Sequence, residues 1–365
     1  MNIYVFSRGI SFLGVIDNYS SLIWQRKFNV FSEFELHCPL TIDNLNLLVR
    51  ENIICKSDDT QEAGYINYRE LQQDNLGQEF LVIKGRFLNS YCDRRIIWSQ
   101  ELLNCTYEVA MRTLVNDQAI NPIDTSRILT NLQLGTLKNY TDVVSYQAIY
   151  TNLFDELINL TNSSNLGFRI LLDAVNKKLN FDVYKGLDRT AGQSINPRCI
   201  FSTEFENVLS QDYISSTNNL SNVDLVGGVG EGSARKLVTV GVATGLDRFE
   251  MFTDASSISN VNSDDQSIID DSVYLPMLES KGAADLALTS DINTFSSVIN
   301  VKGNLKYKVD YDLGDIVTCI NKKWGITIDT PIIEIDETYE ETGLQISIVF
   351  GNLIPTLIQK IKQLI

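Results

Sequence analysis

The last sixth of the chain constrains the fold more than any other stretch. Residues 301–325 read VKGNLKYKVDYDLGDIVTCINKKWG, and residues 331–351 read PIIEIDETYEETGLQISIVFG. Leu305, Tyr307, Val309 and Tyr311 alternate with Lys306, Lys308, Asp310 and Asp312, the period of two that marks a half-buried strand. Leu313-Gly314-Asp315 interrupts it, and residues 316–320 begin a second strand. Asn321-Lys322-Lys323 is a polar turn before a third strand at 324–329. After Pro331, Ile333 and Ile335 alternate with Glu334 and Asp336. Residues 336–343 read as a solvated hairpin tip, and Leu344, Ile346, Ile348 and Phe350 then share one face. About five short strands with no room for crossover helices make an antiparallel meander or the closing part of a small barrel. Residues 311–315 read as the kink between two of them. Gly314 is required there by the backbone, with no catalytic part.

The N-terminal stretch carries the same signals. Residues 4–6 and 12–16 flank Ser7-Arg8-Gly9, a hairpin turn. Leu22, Trp24, Arg26 and Phe28 share one face of the next strand, and Pro39 ends another begun by Phe34 and Leu36. Thr41 opens a short helix, and three further strands lie at 53–56, 63–69 and 79–87. Glu62-Ala63-Gly64-Tyr65 and Asp74-Asn75-Leu76-Gly77 read as turns between them. From Leu88 the character changes. Leu103, Tyr107, Ala110, Met111 and Leu114 have helical spacing, Asn121-Pro122 stops that helix, and Thr151 caps a second one. Strands at 168–172 and 179–184 enclose the turn Asn176-Lys177-Lys178. Beyond Glu206 strands return at 208–215, 222–229, 237–242 and 249–252. A polar loop at 256–272 and a helix at 278–292 precede the meander. Pro355 starts a final amphipathic helix with Leu357, Ile358, Ile361 and Ile365. The fold class expected is α+β, mainly β.

Length and composition allow several compact units with a substantial core: 365 residues, 44% hydrophobic and 21% charged. No apolar run approaches the roughly 20 residues that span a bilayer, and the start MNIYVFSRG lacks the pattern of a signal peptide. The net charge is -16, with Arg94-Arg95 and Lys177-Lys178 as the densest basic pairs. A protein that grips nucleic-acid phosphates needs a basic surface, so stable DNA binding is not expected. Cys38, Cys55, Cys92, Cys105, Cys199 and Cys319 form no C-x-x-C pair and are read as free buried thiols.

No residue set carries a catalytic, cofactor or metal role. His37, the one histidine, is followed by Cys38, and adjacent strand residues face opposite ways, so the two form no dyad. One histidine without a C-x-x-C pair leaves no ordinary zinc site. The run Gly227 to Gly232 is followed by Ser233-Ala234-Arg235-Lys236 where a phosphate loop needs Gly-Lys-Ser/Thr, and by a strand where a dinucleotide fold needs a helix. It reads as a tight β-loop. Asp264-Asp265 and Asp270-Asp271 lack the alternate spacing of a calcium loop and read as solvated.

The run YDLGDIVT, the Trp-Gly strand after it and the closing IVFGNLIPTL resemble the C-terminal region of the siphovirus Gp37-like family, phage tail proteins of the baseplate or tail tip. GGVGEGSARKLVTVG at 227–241 and ATGLDRFEMFTDAS at 243–256 follow in an order similar to that family's, and the N-terminal strand-turn-strand with an early Trp24 is similar too. The resemblance implies two antiparallel β-barrel domains, 1–87 and 206–352, around an inserted α+β domain at 88–205, with a terminal helix at 353–365. It implies a homotrimeric hub, without enzyme activity or cofactor, that joins a sixfold tail tube or distal tail protein to a threefold central spike. Such a hub sits among other baseplate proteins in a virion tail or phage-tail-like bacteriocin, is assembled in the bacterial cytoplasm without membrane insertion, and lets DNA pass in a phage. The alternatives are a receptor-binding or cell-wall-degrading tail protein. The fifteen or so residues after the meander leave no room for a further enzymatic domain.

Overall fold

A computed structural model describes residues 1–351; the expected terminal helix lies outside the described residues. The fold is α+β and mainly β, built on a largely antiparallel sheet of sixteen strands. The N-terminal hairpin forms as expected, Ile3–Phe6 pairing with Phe12–Ile16. Ile3–Phe6 also pairs with Ile53–Lys56, which pairs with Asp59–Gln73. From there the order runs through Glu79–Phe87, Glu33–Pro39 and Ser21–Lys27. The alternation foreseen at Leu22, Trp24, Arg26 and Phe28 holds, and all four are buried. Leu22 and Trp24 pack with Phe34, Leu36, Ile54 and Ile83 in one core.

Strand Ile326–Glu340 carries the sheet onward. One of its edges serves two partners in turn. Residues 326–331 pair with Ile316–Asn321, and residues 334–340 pair with Ser21–Lys27. Pro331, which has no N–H to donate, stands at the changeover, and the register on the opposite edge shifts between Ile332 and Glu334. That opposite edge pairs with Gly343–Phe350, and the order ends with Ile292–Ile299 and Val208–Ser216. These strands close over a second core of Phe201, Phe295, Val317, Ile335, Ile348 and Phe350.

Between the two β-rich regions, helices Tyr107–Val115 and Leu153–Asn162 pack with strands Gly167–Asp173 and Lys178–Tyr184 around a third core that includes Leu114, Leu157, Phe168 and Phe181. A three-stranded sheet of Leu237–Val240, Val223–Gly227 and Glu250–Asp254 buries Val226 beneath helix Asp271–Leu288, against Tyr274 and Leu278.

Five readings from sequence change. Residues 305–311 form turns rather than a strand: Lys308 has φ 63°, Asp310 N–H donates to the Lys306 carbonyl, and Val309 is two-thirds exposed. The expected strands at 324–329 and 333–335 are one strand that continues to Glu340, so the hairpin tip shrinks to Glu341-Thr342. Gly64 sits inside a strand, not a turn; a Cβ there would meet Phe34 at 2.7 Å, so its smallness serves packing. Helix Asp271–Leu288 starts seven residues earlier than expected, despite Pro276, and residues 292–299 are strand. The cap of helix Leu153–Asn162 is Asn152, whose side chain accepts from the Phe154 and Asp155 amides, rather than Thr151.

Candidate functional site

The strongest concentration of buried charge lies where strand Ser21–Lys27 meets the C-terminal region. Arg26 points into the interior with Trp24 and Phe28, because it falls on the apolar face of its strand, and is 3% exposed. A guanidinium in that position needs acceptors for its N–H groups. Nη1 donates to Asp312 Oδ1 at 2.5 Å and to the Tyr307 hydroxyl at 2.6 Å; Nη2 and Nε both donate to Glu62 Oε1, at 2.5 and 2.9 Å. The Tyr307 hydroxyl in turn donates to Glu337 Oε1 at 2.8 Å. Glu337 is 1% exposed, forms an ion pair with Lys56 and accepts from the Tyr339 hydroxyl at 2.6 Å. Lys308 closes the chain of contacts by bridging Asp59 and Glu62.

These charges hold one another. Burial alone would raise the Asp312 carboxyl, but the Arg26 guanidinium beside it wins and keeps it below the usual carboxylate range. Burial likewise opposes ionisation of Glu337, and Lys56 and Lys308 overcome it. Asp59 is held low against burial by Lys308. Three cations and four carboxylates drawn from 26–62 and 308–337 thus stitch the start of the chain to its end. Removing one member of a buried pair costs about 3–5 kcal/mol, since the other is left charged and unpaired.

The 311–315 kink is the second part of this seam. Gly314 has φ 89°, and a Cβ on it would overlap the Phe28 ring. Asp315, 4% exposed, accepts from the Leu187 amide at 2.7 Å, Arg189 Nε at 2.8 Å and the Asp312 amide at 3.0 Å. The kink therefore anchors the chain leaving the α+β region as well as strand Ser21–Lys27. The expectation placed on Gly314 is met by geometry.

The profile of the siphovirus ReqiPepy6 Gp37-like protein matches residues 2–352. The chain belongs to this Gp37-like family. Solved structures of tail proteins, two of them from prophages, share its fold over nearly full length. Prophage tail protein gp18 from Listeria monocytogenes EGD-e superposes with a TM-score of 0.58 at 13% identity, covering 100% of this chain and 98% of that one. The tail protein from Neisseria meningitidis MC58 gives 0.57 at 14% identity, covering 95% of each chain. The prophage MuSo2 43 kDa tail protein from Shewanella oneidensis gives 0.55 at 10% identity, covering 96% and 98%. No curated protein matches the chain in sequence.

In this member of the Gp37-like family the residues singled out from sequence scatter. His37 Nε2 lies 2.7 Å from Glu35 Oε1 on the same face of Glu33–Pro39, while Cys38 points into the core. All six cysteines are free, and burial pushes Cys38, Cys55, Cys92 and Cys199 up to about 12. The glycine loop is a closed turn. Arg235 donates to the Gly227 and Gly228 carbonyls at 3.0 and 3.1 Å, and the Tyr274 hydroxyl accepts from the Val229 amide at 2.9 Å. Asp270 caps helix Asp271–Leu288 through the Ser272 amide, Asp271 pairs with Lys236, and Asp265 holds Ser267. Among residues 336–341, expected to be solvated, Glu337 is instead interior, because the strand runs on past Asp336 to pair with Ser21–Lys27. Sequence reasoning missed Arg26, Lys56 and Glu62 as a set. The one signal was Arg26 on an apolar face.

A cleft of about 410 Å³ opens beside the kink, walled by Phe28, Val30, Ile158, Leu288, Pro331 and Ile333. Lys185 is the one ionisable side chain in its lining among the described residues. No described helix is long and apolar enough to cross a membrane.

Proposed function

We propose that this protein is the structural hub of a phage tail baseplate or tail tip, or of a phage-tail-like bacteriocin. In this reading three copies form a ring that joins the sixfold tail tube, or a distal tail protein, to the threefold central spike. The ring lies in the virion tail among other baseplate proteins and is built in the bacterial cytoplasm. The observation that carries the reading is the sharing of one fold, end to end, with tail proteins from three bacteria. The two β-rich regions supply the physics. Each wraps its own core, and the buried seam between them fixes their relation. If each acts as a barrel unit, three copies present six near-equivalent surfaces under threefold symmetry, which resolves a sixfold-to-threefold mismatch. An acidic chain of net charge -16 suits a channel that DNA crosses without binding.

The test is electron microscopy of assembled particles carrying a tagged copy of this protein. A threefold ring of label at the end of the tail tube is expected. Label on peripheral fibres would sink the hub and favour a receptor-binding role.

A further inference from the structure

We propose that the surface formed by Arg95, Arg127, Ile96, Trp98 and Tyr150 docks an acidic surface of a second copy of this chain. The inference rests on the homotrimeric reading above and says where one contact lies. On a protein with 46 acidic and 30 basic residues, two arginines here have no acid within ion-pair distance among the described residues. Arg95 Nε donates to the Arg127 carbonyl at 2.6 Å and its Nη1 to the Arg94 carbonyl at 2.8 Å. Arg127 donates to the Ile96 carbonyl and to Gln118 Oε1, and its guanidinium lies 4.1 Å from the centre of the Trp98 ring. Among the described residues neither Arg95 nor Arg127 forms an ion pair. Arg94 and Arg8 nearby share Glu51, while Asp124 accepts from the Ser126 amide and acts on Arg127 only from beyond ion-pair distance. Burial first, then the crowding of Arg127 and Arg94, pulls the Arg95 guanidinium below its ordinary value, a tension that an incoming carboxylate relieves.

The apolar part of the patch is equally unusual. Ile96, Trp98 and Tyr150 are 48%, 50% and 75% exposed, and backbone bonds between Ile97 and residues 150 and 151 hold them together. Tyr150 has φ 54°, a left-handed backbone that a bulky side chain adopts only under strain. A strained tyrosine held in solvent beside a tryptophan and two unpaired arginines has the composition of an interface hot spot. The occupant follows from charge. Two copies of net charge -16 repel at long range, so a local cationic contact on one favours their association with acid on the other. Any second copy offers acid in excess.

The test measures molar mass by light scattering on the intact protein, over a range of concentrations at low and high salt. The variants are Arg95→Glu with Arg127→Glu, Tyr150→Asn, and a charge-matched control, Arg198→Glu with Lys302→Glu. Asparagine tolerates the left-handed backbone, so Tyr150→Asn keeps or improves folding while removing the ring. The expected result is an oligomer for wild type and control, and self-association weakened at least about tenfold in both patch variants, with circular dichroism unchanged. Patch variants that assemble like wild type would overturn the docking site and leave the trimeric reading standing. A wild type that stays monomeric throughout would overturn both. Equal weakening in the control would assign the effect to net charge and overturn the site. Variants that form normal oligomers yet fail to enter tails would give the patch to another tail component, again overturning the second-copy assignment.

Discussion

Single residues show why this chain holds its shape. Glu337→Gln keeps the size of the side chain but leaves Lys56 buried with no counter-charge, so urea unfolding near neutral pH should show a loss of about 3–5 kcal/mol. The pair Lys56→Met with Glu337→Leu removes both charges and should cost less than Glu337→Gln alone. A double variant as unstable as the single one would mean that packing, and not charge, dominates there. Glycine positions offer a second contrast. Gly77 has φ 80° and open space around its missing Cβ, whereas Gly314 combines φ 89° with the Phe28 ring. Gly77→Ala should therefore cost about 1 kcal/mol, for backbone reasons only. Gly314→Ala should cost clearly more and lower the melting temperature further. The sequence identified Gly314 because a glycine between two strand patterns is a local signal. It could not identify Arg26–Glu62–Asp312: Arg26 stood out on an apolar face, but Glu62 and Asp312 look locally like ordinary surface charges, and the partners lie up to 286 residues apart.

At the scale of elements, the capping of helix Asp271–Leu288 is the clearest local device. Asp270 accepts from the Ser272 amide at 2.8 Å. Asp270→Ala should destabilise by about 1 kcal/mol, seen as faster hydrogen exchange in the first turn of the helix and the sheet beneath it. Elements were legible where one face met a core and the other met water. Ser21–Lys27 and Glu33–Pro39 are such cases. Ile292–Ile299 was missed because its sequence, INTFSSVI, places Thr294 and Ser297 at buried positions, and this erases the polar-apolar contrast that periodicity depends on. The opposite error arose at 305–311. Tyr307 and Tyr311 do turn inward, so the spacing was real, yet Tyr307 goes in for its hydroxyl, and a left-handed Lys308 turns the chain between them.

Acid should loosen the whole molecule through the seam. Asp59, Asp312 and Glu337 have folded values below their ordinary 3.8, 3.8 and 4.5. A carboxyl depressed by folding adds stability that is present above its unfolded value and is lost as pH falls through the folded one. The loss should start near pH 4.5 and deepen below it. Glu334 and Asp336, raised by burial, bind protons more readily when folded and work in the opposite direction just above that range. Unfolding midpoints measured against pH should hold or rise slightly before falling steeply, and the fall should be shallower in the Lys56→Met with Glu337→Leu variant, which lacks one depressed acid. A fall of unchanged steepness would remove Glu337 from the account.

Strand Ile326–Glu340 also dictates a timetable. Ser21–Lys27 has one neighbour early, in Glu33–Pro39, but its other edge waits for residues 334–340. Glu334 emerges from the ribosome 309 residues after its partner Gln25. At bacterial rates of synthesis that is about 15–60 s during which a nascent chain carries an open, aggregation-prone strand edge. Completion of the sheet waits until residues 334–340 have been made, and Arg26 and Lys56 remain without Asp312 and Glu337 until those residues follow them. Chains stopped short of residue 334 should accordingly be captured by chaperones, whereas the finished protein closes its own edge.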